Sequence, residues 1–289
     1  MVTWVYVFVA ILCSRCCLQL RHHSQYASKM KLYSLLPNGE DISDILTAWR
    51  RGFVNCKEEV CTELKGDLPA DLTGTLYRNG YGKFTVGKET IAHPFDSDGM
   101  VTAITFERGK AFFRNRLVRT TGFMRERRAR RILYRGVFGT LKQGFLANFL
   151  DLKLKNTANT HVAYWGEKLL ALWEGGLPYR LEADSLRTIG EYRLEGLLTP
   201  TQALAAHYKV DPDKNTLVTI SAKQTPPSGI ELSVYELNTD YSVNTSRVFS
   251  VKGFGLFHDF ALTKNYYIFT RCPLKIMPLP YVLGVKVRC

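Results

Sequence analysis

Histidine is the residue type in this sequence best suited to bind a transition metal, because neutral imidazole offers a lone pair to the ion. His207 lies in AAHYKVDPDKN and His258 in GFGLFHDFALTKNYYIF, each at the mouth of a predicted strand. Taken singly, a histidine is more often a satisfied polar group or a surface residue than a ligand, so the residues alone leave both interpretations open. The sequence contains six histidines in all: His22, His23, His93, His161, His207 and His258.

A carboxylate at position 174 is the second candidate for a functional site. Glu174 follows a run of Leu, Ala and Trp in HVAYWGEKLLALWEG, so we expect it to be buried. A buried carboxylate needs a partner, or its pKa rises until it is neutral. One such partner is a metal-ligating histidine, whose second ring N–H must donate to an acceptor. The other is the pair of turn amides of Gly175 and Gly176, and both alternatives stay open at this point.

The remaining motifs offer less chemistry. The segment HPFDSDGM (93–100) holds two acids and a glycine but lacks the spacing and the later Glu of an EF-hand, so it predicts a turn between two strands. The seven cysteines match no zinc motif. No dinucleotide-binding, P-loop or nucleophile-elbow pattern occurs.

Composition places the chain among globular proteins. It has 289 residues, of which 46% are apolar and 22% charged, which excludes disordered and collagen-like classes. No uninterrupted apolar run reaches the roughly 18 residues of a membrane-spanning helix, so a polytopic membrane protein is excluded. The formal net charge of +13 favours anionic partners.

Part of that charge is concentrated in residues 123–143, FMRERRARRILYRGVFGTLKQ. The segment has helical spacing and a dense basic face. A solvated helix face is one interpretation, and an amphipathic helix lying on anionic lipid is another. No nucleic-acid-reading motif accompanies the charge, so we expect no nucleic-acid partner.

The first thirty residues are typical of a targeting leader. An apolar stretch, MVTWVYVFVAILC, precedes SRCCLQLRHHSQYASKMK, which is basic and free of acids. A signal-like core followed by a transit-like segment predicts bipartite entry into a plastid; a secretory signal alone is the alternative, and a monotopic anchor a third. We expect the mature protein to start between Cys17 and Lys31. Residues 31–64 are predicted as a helical lead-in, because DISDILTAW has a short helical pattern.

From residue 65 onward the sequence predicts an all-β domain. Runs such as GTLYRNG, MVTAITFE, KLLALW, NTLVTISAK and IELSVYELN are rich in β-branched and aromatic residues. Turn residues separate them at Arg108-Gly109, Gly166-Glu167 and Asp211–Asn215. This rhythm is typical of propeller blades, and an up-and-down barrel or a sandwich fits it nearly as well.

The ordered motifs resemble those of the carotenoid cleavage oxygenases. The likeness extends from about Lys65 to about Val287 and rests on five blocks: LPADLTGTLYRNGYGKF, HPFDSDGMVTAITFERGKAFFRNRLVRT, NTANTHVAYWGEKLLALWEGGLPYRLEADSLRTIG, AAHYKVDP and FHDFALTKNYYIF.

This resemblance implies a fold and an activity. Residues 65–289 would form a partial seven-bladed β-propeller, its N-terminal blades, with helical insertions. Fe2+ on the propeller axis would be held by four histidines, of which His207 matches the first and His258 the second. Glu174 matches a carboxylate that orients His258. The family uses O2 to cleave a double bond of a carotenoid or apocarotenoid into aldehyde or ketone products, with no catalytic residues implied beyond the metal ligands.

The sequence also departs from the family pattern. Ser97 replaces a usual Gly, and Tyr81 and Tyr208 each replace a usual Pro. The third and fourth histidines lie in a part of the family that follows the position of Cys289, so we expect a truncated gene model whose chain does not turn over by itself. The alternative function is a catalytically inactive propeller fragment that acts as a lipid-binding or interaction module.

Overall fold

The computed structural model describes residues 55–64, 66–200, 202–225, 229–253, 255, 257–271 and 278–284. The predicted leader and the DISDILTAW segment lie outside these residues. The described residues are mostly β, which confirms the all-β prediction. The strands are β1 (Glu59–Leu64), β2 (Gly74–Lys83), β3 (Thr85–Val86), β4 (Glu89–Thr90), β5 (Asp98–Glu107), β6 (Lys110–Leu117), β7 (His161–Trp165), β8 (Lys168–Leu172), β9 (Tyr179–Leu181), β10 (Thr188–Glu191), β11 (Lys209–Asp211), β12 (Thr216–Thr225), β13 (Gly229–Leu237), β14 (Val243–Lys252), β15 (Phe260–Leu262) and β16 (Tyr267–Phe269). The helices are α1 (Thr121–Ala129) and α2 (Pro278–Val282).

Three antiparallel four-stranded sheets organise these strands. Their strand orders are β1-β6-β5-β2, β10-β9-β8-β7 and β11-β12-β13-β14. Two hairpins, β3-β4 and β15-β16, complete the described β structure. The tight hairpin turns lie where the sequence predicts them, and Arg108, Gly109, Gly166 and Glu167 adopt the positive φ angles that such turns require.

The sheets stack face to face in chain order, and the second sheet, which lies between the other two, buries both of its faces. In β8, Leu169 shares a core with Val101 of the first sheet, whereas Leu170 on the opposite face shares a core with Leu217 of the third. The third sheet packs on the β15-β16 hairpin in the same way. Separate sheets stacked in series are the arrangement of propeller blades rather than of one closed barrel.

The prediction of a helix over residues 123–143 is wrong for most of that segment. α1 begins after Thr120, whose hydroxyl accepts a hydrogen bond from the Phe123 amide, and it ends at Ala129. Arg130 then takes a left-handed φ of 54°, which terminates the helix. Beyond it, Ile132 and Tyr134 are buried without helical structure, because Ile132 packs into a small core with Val86 and Ile91.

The helical lead-in predicted for residues 31–64 also differs in its described part. β1 pairs with β6 as an edge strand of the first sheet. Neither α1 nor α2, the helices of the described residues, has the length and apolar composition of a membrane-spanning segment.

A buried ionic cluster fixes α1 to the first sheet. The Lys155 ammonium lies 2.9 Å from the Glu126 carboxylate of α1 and 3.0 Å from the Asp98 carboxylate of β5, and all three side chains are almost completely buried. Burial acts to lower the pKa of Lys155, but the charges of Asp98 and Glu126 outweigh it and raise that pKa. The lysine is therefore charged and neutralises acids that could not otherwise be buried.

Candidate metal centre

Three consecutive units of the β structure each deliver one residue to the candidate site. Glu174 follows Trp173 just after β8, in the second sheet. His207 follows the buried segment 204–206 and precedes β11 of the third sheet. His258 lies directly after the buried Phe257 and shortly before β15. Buried apolar residues directly precede both histidines. The core therefore anchors each of the two backbone segments that carry an imidazole.

The two histidines face each other through their Nε2 atoms. Nε2 of His207 lies 3.2 Å from Nε2 of His258, and the rings are nearly perpendicular, with centroids 4.7 Å apart. On the far side of its ring, His258 Nδ1 donates to Glu174 Oε2 over 2.5 Å. The predicted link between Glu174 and His258 is confirmed.

Glu174 is less buried than the sequence predicts, since about a third of its side chain (30%) is exposed. The Gly176 amide, one of the alternative partners, donates instead to the Trp173 carbonyl. The carboxylate therefore faces the histidine from a half-buried turn at the end of β8.

The environment shifts the pKa values of the two imidazoles in opposite directions. The hydrogen bond that His258 donates to Glu174 raises the pKa of His258, and burial only partly opposes this. Burial lowers the pKa of His207, and the neighbouring His258 lowers it further. A proton held on Nδ1 of His258 by Glu174 leaves the Nε2 lone pair of the neutral ring directed toward His207.

The other two described histidines take different positions. The His161 ring lies 5.3 Å from that of His207 and 5.4 Å from that of Tyr208, at the edge of the pair. His93 caps a short 3-10 helix, where its Nδ1 accepts from the Phe95 amide. Across the described part of the chain, no group of three or more His, Cys, Asp or Glu side chains is arranged to hold a metal ion.

Two further features of the site are not apparent from single motifs. Lys209 Nζ and Asp259 Oδ1 form an ion pair at 2.8 Å, immediately beside the histidines. The Tyr81 ring lies 5.5 Å from that of Phe95, and burial together with the charge of Glu174 raises the pKa of Tyr81 to about 12. The sequence places Lys209 two residues after His207 and Asp259 directly after His258. It does not show that these two side chains meet.

The donor geometry tests whether a metal fits. Two imidazole nitrogens bound at about 2.1 Å are roughly 3.0 Å apart at neighbouring octahedral positions and roughly 3.4 Å apart in a tetrahedron. The observed 3.2 Å separation falls between these values. The pair therefore fits one edge of a coordination sphere, with Glu174 placed as an outer partner.

Comparison with known proteins identifies the family. The family model described as retinal pigment epithelial membrane protein, RPE65, matches residues 53–286. The chain belongs to this family, which includes the carotenoid cleavage oxygenases.

Individual relatives agree with this assignment. Apocarotenoid-15,15'-oxygenase of Synechocystis is 41% identical over 249 residues, which are 82% of this chain and 50% of the relative. The chloroplastic carotenoid cleavage dioxygenase 7 of Arabidopsis thaliana is 26% identical, over 83% of this chain and 47% of the relative. The crystal structure of cobalt-substituted Synechocystis ACO superimposes with a TM-score of 0.78 at 40% identity, covering 83% of this chain and 52% of that one. The chain thus spans about half the length of the relatives it matches.

Proposed function

We propose that this chain supplies part of a non-haem Fe2+ centre in an oxygenase that uses O2 to cleave a double bond of a carotenoid or apocarotenoid into aldehyde or ketone products. The observation that carries the proposal is the facing pair of imidazoles, His207 and His258, with Glu174 bonded to the outer nitrogen of one of them. Family membership and the activity named for the Synechocystis relative support it.

In this proposal His207 and His258 are metal ligands through Nε2. Imidazole suits iron, and when bound the ferrous ion would supply the redox chemistry that O2 needs to react with a double bond. Glu174 holds His258 in one tautomer and one orientation, and its charge makes the ring a better donor. The complete centre would use four histidines on the axis of a seven-bladed propeller, of which the three sheets and the β15-β16 hairpin are a part.

An apolar polyene needs an apolar wall beside the metal. Tyr81, His93, Phe95 and Phe138 form a connected aromatic cluster, with neighbouring ring centroids 4.8–5.5 Å apart. Burial and the charge of Glu174 raise the pKa of Tyr81, and Tyr81 and Phe95 are each more than a third exposed. Such surfaces favour stacking with a flat conjugated chain.

Peripheral contact with a membrane would give access to such a substrate. We propose that this contact involves the basic segment 123–143, whose Arg127, Arg128, Arg130 and Arg131 are exposed. The following residues 145–154 add large exposed apolar side chains, with Leu146 84% exposed. At low salt, we expect the chain to float together with vesicles rich in anionic lipid. A variant with these four arginines replaced by glutamine should stay at the bottom of the gradient. Equal flotation of both proteins would contradict this contact.

For localisation we propose the plastid, through the bipartite leader, with the secretory pathway as the alternative. The name of the Arabidopsis relative includes "chloroplastic". N-terminal sequencing of the native protein should give a start between Cys17 and Lys31. Recovery of Met1 would contradict cleavage of the leader.

The alternative function is an inactive propeller unit that binds lipid or a partner protein. It predicts that the imidazole pair has no affinity for metal. Metal binding therefore separates the two functions.

The test is a titration of the full chain with Co2+, followed by NMR of ring-labelled histidines. We expect hyperfine-shifted resonances from two imidazoles, which disappear in His207→Ala and His258→Ala. His161→Ala is the matched control, because its ring lies 5.3 Å from that of His207, and this variant should retain both signals. Shifts that persist without His207 and His258, or no shifts at all, would overturn the proposed centre.

A further inference from the structure

Each candidate ligand is followed within two residues by a charged side chain, and these two side chains meet. Lys209 lies two residues after His207, and Asp259 lies one residue after His258. Their 2.8 Å ion pair joins β11 of the third sheet to the start of the β15-β16 hairpin. It thus connects the two backbone segments that carry the imidazoles.

The acidic partner has a second hydrogen bond, to its own backbone. Asp259 Oδ1 also accepts a hydrogen bond of 2.7 Å from the Phe260 amide, which fixes the carboxylate to its own backbone. The Lys209 ammonium lies 5.5 Å from the centroid of the Phe260 ring, and Phe260 is buried in the core shared by the third sheet and the hairpin. Lys209 therefore pairs with a carboxylate that is also bonded to its own backbone, next to a buried ring.

The imidazole pair needs such a connection. At 3.2 Å one Nε2–H can donate to the other Nε2, but two Nε2 atoms that both present lone pairs to a metal repel each other, so their spacing then depends on other contacts. Glu174 bonds to His258 and leaves the segment of His207 to other contacts. An ion pair that is about a third exposed adds little to overall stability, so its effect here is mainly on local geometry.

We propose that Lys209 and Asp259 are positioning residues that hold His207 and His258 at ligand spacing before metal binds. The inference deepens the proposed function, because preassembly matters only if the two rings are ligands. The ion pair would reduce the conformational entropy that metal binding must otherwise remove.

The first experiment needs no metal. In the metal-free full chain with ring-labelled histidines, we expect a nuclear Overhauser effect between the ring protons of His207 and His258. Lys209→Met and Asp259→Asn should each abolish it, whereas Lys209→Arg, which keeps the charge, should retain it. Asp259→Asn keeps an acceptor for the Phe260 amide, so it removes the ion pair with little other change.

Lys142→Met is the matched control. Lys142 forms a 2.6 Å ion pair with Asp151, and the side chains of that pair are 19% and 21% exposed, against 32% and 27% for Lys209 and Asp259. The control should leave the Overhauser effect intact. An effect that survives in both Lys209→Met and Asp259→Asn, or that is absent from the wild type, would overturn the inference.

The second experiment is the Co2+ titration of the same proteins. We expect about tenfold weaker binding in Lys209→Met and Asp259→Asn, the lower end of what outer partners of metal ligands contribute, and unchanged binding in Lys142→Met. If the wild type shows the Overhauser effect and its dependence on Lys209 but binds no Co2+, the proposed function fails and preassembly of the pair stands. Unaltered Co2+ affinity in variants that lack the effect would show that the positioning does not serve metal binding and would overturn that part of the inference.

Discussion

At the scale of single residues, the hydrogen bond between Glu174 and His258 decides what the site can do. Glu174 occupies Nδ1 of His258 and so directs the other ring nitrogen toward His207. A carboxylate behind an imidazole is the usual partner of a metal-bound histidine, because it fixes the tautomer and strengthens the donor.

Replacing Glu174 by glutamine tests this role. The amide oxygen of Glu174→Gln can still accept from Nδ1, but the negative charge is lost, so we expect about tenfold weaker Co2+ binding. Isothermal titration or hyperfine NMR shifts would measure the change. Glu182→Gln, at an exposed acid paired with Arg187, is the control and should bind Co2+ like the wild type. Equal affinity in Glu174→Gln and the wild type would show that the hydrogen bond has only a structural role.

At the scale of secondary-structure elements, the buried cluster around Lys155 fixes α1 against the first sheet. The Lys155 stem also packs against Gly122 of α1, where a Cβ would lie 2.4 Å from Lys155 Cγ. The helix can approach the lysine this closely because residue 122 has no side chain.

Removing the lysine charge should therefore destabilise the fold. Lys155→Met leaves two buried carboxylates without a cation, and we expect a loss of about 3–5 kcal/mol in the free energy of unfolding. Urea denaturation followed by circular dichroism would measure it. Adding Glu126→Gln should recover part of the loss, and Lys153→Met, at a neighbouring exposed lysine, should change stability by less than about 0.5 kcal/mol. A small effect for Lys155→Met would contradict the assignment of charged side chains to this cluster.

At the scale of the whole molecule, the proposed chemistry needs more than the described pair. In the proposed centre His207 and His258 would be two of four imidazole ligands, and Fe2+ is among the weaker divalent binders at nitrogen sites. We expect the 289-residue chain, reconstituted with Fe2+ without oxygen and then exposed to O2, to yield no aldehyde from a panel of carotenoids and apocarotenoids.

A chimera supplies the complementary result. The chain joined to the part of the Synechocystis relative that it does not cover should bind iron and release aldehyde products, and the same chimera with His207→Ala should do neither. Iron content and chromatography of the products are the measurements. Stoichiometric iron and product from the chain alone would require another ligand, with His161 and His93 the first to examine.

The sequence by itself was sufficient for the β class, because alternating runs and their turn residues act over neighbouring positions. Local pattern failed at residues 123–143, where a helix was predicted through to Gln143. There the burial of Ile132 and Tyr134 outweighs the local helical spacing, and the helix ends at Ala129. Intrinsic helical preference is a small energy per residue, which tertiary packing readily overrides.

The histidines and Glu174 were recognised as candidates from residue type, and their roles were assigned by resemblance to a family. Only the tertiary structure brought them together. His207 and His258 are 51 residues apart in the sequence, and Glu174 and His258 are 84 residues apart. The Lys209–Asp259 ion pair spans 50 residues and was not predicted, because no sequence spacing specifies a contact between different sheets. Short-range periodicity thus determined the elements, while the stacking of those elements on shared apolar cores decided which polar side chains meet.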